Sequence, residues 1–99
     1  MPSFLMNINV KPGQEDAALA QLAEIQRLAR ADAGNQLFLW LHHTTDPTRF
    51  TLCEQWDTQA DLDKHLVNIS PAWDRFTPLL AGTPVSEPVA PVTEIDPQR

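Results

Sequence analysis

The chain has 99 residues, 42% of them hydrophobic and 20% charged, with three Trp and four Phe, enough apolar matter for one packed domain and too much for a disordered chain. Seven Lys and Arg against 13 Asp and Glu give a formal net charge of −6, and the basic residues never cluster, which excludes a phosphate-tracking nucleic-acid surface. The single cysteine, Cys53, has no companion for an intramolecular disulfide or a Cys-rich metal site and suits a reducing, cytoplasmic setting.

The N-terminus lacks the basic start and apolar run of a secretory signal, and no stretch approaches membrane-spanning length. Neither nucleic acid nor membrane is expected as a partner. From Ser3 to Lys11 the residues alternate, with Phe4, Met6, Ile8 and Val10 on one face and Leu5, Asn7, Asn9 and Lys11 on the other. This predicts a strand, which Pro12-Gly13 stops. Ala17 to Ala33 is rich in helix formers, with Ala18, Leu22, Ile25 and Ala29 spaced by three and four. Glu15 and Asp16 suit the positive end of that helix, and Gly34 is placed to terminate it.

Asn35 to Thr44 alternates again, Leu37, Leu39 and Leu41 against Phe38, Trp40 and His42, so both faces of this strand are apolar. Helices on one face and a second subunit on the other would keep both out of water. Asp46-Pro47-Thr48 is a turn, and Arg49 to Trp56 reads as the hairpin partner, with Phe50, Leu52, Glu54 and Trp56 on one face.

Asp57 or Thr58 can cap the next helix, with Asp61 in the answering position of a capping box. Leu62, His65, Leu66 and Ile69 share one face of it. Ser70-Pro71 is expected to end it, with a further helical piece from Ala72 to Ala81 interrupted near Pro78 and closed by Gly82. Four of the nine prolines fall between Thr83 and Arg99, so any strand between Val85 and Ile95 must lie at an edge or be bulged. Residues 1–95 are expected to form a single domain and 96–99 a mobile tail. The βαββαβ order predicts an α+β, ferredoxin-like antiparallel sheet with helices on one face.

Three isolated glycines, at 13, 34 and 82, cannot form a phosphate-binding loop. Cys53 lies within a strand, where an inert thiol is the rule. The adjacent pair His42-His43 points to opposite faces of its strand and cannot ligate one ion together. His65 differs, because it lies on the apolar face of its helix and should meet the sheet face that carries Glu54 and Trp56. A group that titrates near neutrality, a carboxylate and a flat indole together suit acid–base work on an aromatic substrate. The blander reading is a salt bridge or hydrogen bond tying Glu54 to Lys64, His65 or Arg75. Trp40, Trp56, Trp73, Phe38 and Phe76 would equally serve as core or as an aromatic cleft. Asn7 and Asn9 present amides to a ligand or to solvent.

The run from Glu54-Gln55-Trp56-Asp57-Thr58 to His65-Leu66 resembles the signature E-x-W-x-s-x-e-a-l-x-x-H-l of the antibiotic biosynthesis monooxygenase family. Val10-Lys11-Pro12-Gly13 resembles the end of that family's first strand, and Gly34-Asn35-Gln36-Leu37-Phe38 with Asp46-Pro47-Thr48-Arg49-Phe50 resembles its hairpin. The resemblance runs from about Phe4 to about Leu80. It implies a dimeric α/β barrel, two ferredoxin-like subunits packed sheet to sheet, with a pocket between sheet and helices.

It also implies oxygenation of an electron-rich aromatic without flavin, metal or haem, the substrate anion itself passing an electron to O₂. His65 matches the family histidine and would be the base or a proton relay. Trp56 matches the family tryptophan and would wall the pocket. The chain departs from the polyketide-oxidising branch, whose Asn and Tyr are replaced by Leu52 and Leu62, and Arg75 lies near the position where the haem-degrading branch carries its axial His. The quinol monooxygenase branch, and a relative that isomerises a phosphorylated compound, both keep a histidine where His65 stands.

The sequence therefore predicts a cofactor-free monooxygenase, a homodimer acting on a small quinol-like or polycyclic aromatic and O₂. His65 is the expected catalytic residue, and Trp56, Glu54, Trp40, Phe38, Phe76 and Asn9 are expected to bind substrate. The alternatives are an isomerase using the same histidine without O₂, and a non-catalytic small-molecule-binding dimer.

Overall fold

The computed structural model describes residues 1–93. Its elements are β1 (Ser3–Asn9), α1 (Glu15–Ala31), β2 (Asn35–His42), β3 (Arg49–Trp56), α2 (Gln59–Phe76), a 3-10 turn (Thr77–Leu79) and β4 (Val85–Pro88). The four strands form one antiparallel sheet in the order β2-β3-β1-β4, and α1 and α2 pack on one face of it. This is the α+β, ferredoxin-like fold that the element order predicts. No described helix is long and apolar enough to cross a membrane.

Register carries the alternation of each strand across the sheet. On the helix side, Phe38, Glu54, Phe4 and Pro88 form one row, and Trp40, Leu52, Met6 and Ser86 the next. Ala18, Leu22, Ile25 and Ala29 of α1 close over these rows together with Leu62, Ile69, Ala72 and Phe76 of α2. On the other side, Leu39, Cys53 and Leu5 make one row, and Leu41, Thr51, Asn7 and Val85 another. Leu39 and Leu41 remain 36% and 46% exposed there. Along this open face His43 Nε2 lies 2.7 Å from Thr51 Oγ1, which donates to Asn7 Oδ1 at 2.7 Å. His42 lies on the opposite face, stacked on Phe50.

Three local expectations need correction. The first helix stops at Ala31 rather than Ala33, and Asp32 turns extended at φ −74° and ψ 141° while its N–H still reaches the Ala29 carbonyl. Gly34, at φ +82°, therefore belongs to the following turn and not to the helix cap. A Cβ there would overlap the Asp61 carboxylate, so glycine serves both the left-handed backbone and the close approach to α2. The Gly34 carbonyl accepts Asp57 N–H at 2.8 Å, which ties this turn to the end of β3.

Pro71 does not break α2, which runs as one helix from Gln59 to Phe76. The missing N–H would have served the carbonyl of Val67, a residue 74% exposed, so water can take its place. Leu62, His65, Ile69, Ala72 and Phe76 are buried at spacings of three and four through the proline, so packing of both halves outweighs the local penalty. The expected separate helix from Ala72 to Ala81 is replaced by the end of α2 and the 3-10 turn, with Pro78 at the start of that turn.

After the turn the chain pairs back on the end of β1, with Lys11 N–H on the Leu79 carbonyl and Ala81 N–H on the Asn9 carbonyl, both at 2.8 Å. The last strand lies at the sheet edge, as its prolines require, and ends at Pro88. The expected domain end at residue 95 and the tail at 96–99 lie outside the described residues.

Candidate active site

Between the helix-side rows of the sheet and α2 lies a cavity of about 910 Å³. Its sheet wall consists of Phe4, Met6, Phe38, Trp40 and Leu52, and its helix wall includes Ile25, Leu62, Ile69 and Trp73. The N-terminal residues Met1 to Ser3, polar residues of α2 such as Gln59 and Ser70, and Pro84 with the stretch from Ser86 to Val89 add to the lining. The lining carries Glu87, exposed on the edge strand, and two buried ionisable groups, Glu54 and His65, and no Lys or Arg side chain among the described residues lines it.

Each of the two buried groups is placed by its own element. The register puts Glu54 in the row between Phe38 and Phe4. Thr58 starts α2 by accepting Asp61 N–H at 3.1 Å and donating to Asp61 Oδ2 at 2.9 Å, which fixes the phase that turns His65 inward. His65 is 3% and Glu54 4% exposed. His65 Nδ1 lies 2.8 Å from Asp32 Oδ2, and Asp32 Oδ1 accepts from Asn68 Nδ2 at 3.3 Å. His65 Nε2 lies 3.9 Å from Glu54 Oε1. Glu54 Oε1 accepts the Trp56 indole N–H at 2.7 Å. The Trp56 ring lies 4.5 Å from the imidazole at a 30° tilt, and Phe38 meets it edge-on at 5.6 Å.

A carboxylate at Nδ1 calls for a proton on that nitrogen, which leaves the Nε2 lone pair as the basic site of the neutral ring. Burial pushes the Glu54 carboxyl up to about 7 from its ordinary 4.5, and the Trp56 N–H opposes part of that rise. The imidazole Nε2 and a carboxyl that burial holds partly protonated near neutral pH thus stand 3.9 Å apart. This pair sits in surroundings that exclude water, where both charge and proton position matter most.

Four of the residues expected at the site line the cavity: His65, Glu54, Phe38 and Trp40. Three do not. Trp56 is fully buried and stands behind the wall, holding Glu54 and backing His65. Phe76 is also fully buried, in the core at the end of α2, with its ring 5.4 Å from that of Trp73, which does line the cavity. Asn9 is exposed at the end of β1 on the face opposite the cavity, because it alternates with Phe4, Met6 and Ile8.

Sequence reasoning missed Asp32. Its one signal was an acidic residue at a helix C-terminus, where the dipole disfavours it unless a specific partner compensates. Cys53, on the open face, has its thiol pushed up by burial, the opposite of an activated nucleophile. Among the described residues, no group of three or more His, Cys, Asp or Glu side chains is arranged to hold a metal ion.

The chain thus has a ferredoxin-like sheet with a cavity under its helices and a buried histidine–carboxylate pair in the cavity wall, on a scaffold that many functions share. Residues 3–76 match the family described as antibiotic biosynthesis monooxygenase, and the chain belongs to that family. Its fold is shared with a solved structure described as an antibiotic biosynthesis monooxygenase, at TM-score 0.85 and 18% identity over 94% of this chain and 100% of that one. A protein of Pseudomonas aeruginosa matches at TM-score 0.82 and 21% identity over 93% and 95%. One of Mycobacterium tuberculosis matches at TM-score 0.82 and 18% identity over 96% and 98%. No curated protein sequence matches the chain.

The raised Glu54 pKa sets a direction for stability. Above its ordinary 4.5 the unfolded chain releases this proton while the folded one retains it up to about 7. The stabilising share is therefore full below 4.5 and is lost as pH rises through about 7. The total is up to about 3 kcal/mol by linkage. Glu54→Gln keeps an acceptor for Trp56 and cannot ionise. Urea unfolding across this pH range should show a shallower loss of stability in the variant than in the wild type.

Proposed function

We propose that the chain is a monooxygenase that oxidises an uncharged quinol-like or anthrone-like aromatic with O₂, using no bound cofactor, with His65 as the base. The observation that carries this reading is the buried His65–Glu54 pair set in the wall of a mostly apolar cavity that no Lys or Arg among the described residues lines. The apolar walls bind a flat ring system. His65 Nε2 takes the acidic proton of its hydroxyl or activated methylene, and exclusion of water leaves a poorly solvated, electron-rich anion. That anion passes one electron to O₂, and the radical pair recombines to a peroxide. For a methylene substrate, loss of water from the peroxide leaves a carbonyl. One oxygen atom goes to product and one to water, and the substrate supplies all four electrons. Glu54, whose carboxyl burial pushes up to about 7, retains a protonated fraction near neutral pH that can supply a proton to the departing water.

An isomerase acting on a phosphorylated substrate fits less well, since no Lys or Arg among the described residues lines the cavity to balance a phosphate. An isomerase of an uncharged substrate would use the same histidine and turn over without O₂. The lone Cys53 fits work in the reducing cytoplasm.

O₂ uptake with reduced naphthoquinols and anthrones, corrected for autoxidation, tests the reading. His65→Ala should lower the enzymatic rate at least about tenfold, the low end of a general-base contribution. Equal rates in wild type and variant would remove His65 from the mechanism, and turnover under strict anaerobiosis would replace oxygenation by isomerisation.

We also propose that the open sheet face, with Leu5, Leu39 and Leu41 in adjoining rows, packs on the same face of a second copy. Analytical ultracentrifugation at micromolar concentration should give a dimer for the wild type and a monomer for Leu39→Arg/Leu41→Arg. A monomeric wild type would refute the pairing.

A further inference from the structure

We infer that Asp32, in the turn between α1 and β2, is a positioning residue that holds His65 in the tautomer with the proton on Nδ1, so that Nε2 faces Glu54 and the cavity as an acceptor. The inference rests on the proposed role of His65 as base, but its central claim is about the ring and not about turnover. An imidazole in water places its proton mostly on Nε2, which would leave the atom beside Glu54 as a donor unable to take a substrate proton. Asp32 reverses that preference through the contact of 2.8 Å between Oδ2 and Nδ1.

The turn is built to hold the carboxylate in place. Asp32 leaves the helix in extended conformation, and Asn68, one turn after His65 on α2, donates to its other oxygen at 3.3 Å. The turn itself is fastened by the Gly34 carbonyl to Asp57 N–H at 2.8 Å and by the close approach of Gly34 to Asp61. The groups facing His65 are thus Asp32 from this turn, Glu54 and Trp56 from β3 and Phe38 from β2. Asp32 is the one that reaches Nδ1. The arrangement has the logic of a nucleophile's base oriented by a third group, in which a wrong tautomer costs activity although every side chain is present.

The experiment is ¹⁵N NMR of imidazole-labelled protein at a pH where His65 is neutral, with His65→Gln used to assign its signals. The wild type should show a protonated Nδ1 and a lone-pair Nε2. Asp32→Ala should move the ring to the tautomer with the proton on Nε2, and near-ultraviolet circular dichroism should show an unchanged fold. Turnover of an active aromatic should then fall by about tenfold or more in kcat with KM changed less than about twofold. A wild-type ring with its proton on Nε2 overturns the inference without any substrate being needed. So does an Asp32→Ala ring that keeps the wild-type tautomer, whatever happens to the rate. If the tautomer moves and O₂ uptake by the wild type is nil for every substrate, the positioning stands and the oxygenase reading fails.

Discussion

The structure turns on one buried side chain. His65 presents both ring nitrogens to carboxyl groups, 2.8 Å from Asp32 on one side and 3.9 Å from Glu54 on the other, with indole and phenyl rings filling the space around it. Burying an imidazole and a carboxyl in an apolar wall costs free energy that hydrophobic residues in the same places would not. The fold offsets this with specific contacts: Trp56 satisfies Glu54, and Asp32 satisfies Nδ1.

Every element has a part in placing that residue. The hairpin brings Glu54 and Trp56 to one face at alternate positions. The Thr58 cap sets the phase of α2, and the unbroken course of α2 through Pro71 extends the cavity wall from Leu62 to Trp73. The early end of α1 turns Asp32 toward the imidazole. Sheet alternation separates two tasks: the inner rows make the site, and the outer rows carry Leu5, Leu39 and Leu41. The two faces meet through the same strands, so the proposed chemistry and the proposed association would both rest on one sheet.

Much of this was legible in the chain because it rests on period. Alternation in β1, β2 and β3 and the spacing of three and four in both helices fix which residues face inward, and from that follow the topology and the pairing of His65 with Glu54. Period alone did not distinguish a residue in the cavity wall from one just behind it, so Trp56 and Phe76 look the same in sequence as Phe38 and Trp40. Asn9 was misplaced for a simpler reason, since its own alternation already put it on the face away from the helices. Pro71 carries a local penalty that reads as a helix end in sequence, whereas packing of the helix on both sides of it keeps α2 continuous. Asp32 is legible only as an acidic residue ill-suited to a helix C-terminus, because its role depends on a contact 33 residues away, which no local pattern encodes.

The central claim is that this cavity binds an uncharged aromatic and takes a proton from it. A stable naphthol, titrated into the protein at neutral pH without O₂, reports that step directly, because its anion absorbs at longer wavelength than its neutral form. The account predicts that the naphtholate band appears on binding to the wild type and is lost in His65→Ala. A naphthol that stays neutral when bound, or that ionises equally in the variant, would contradict it.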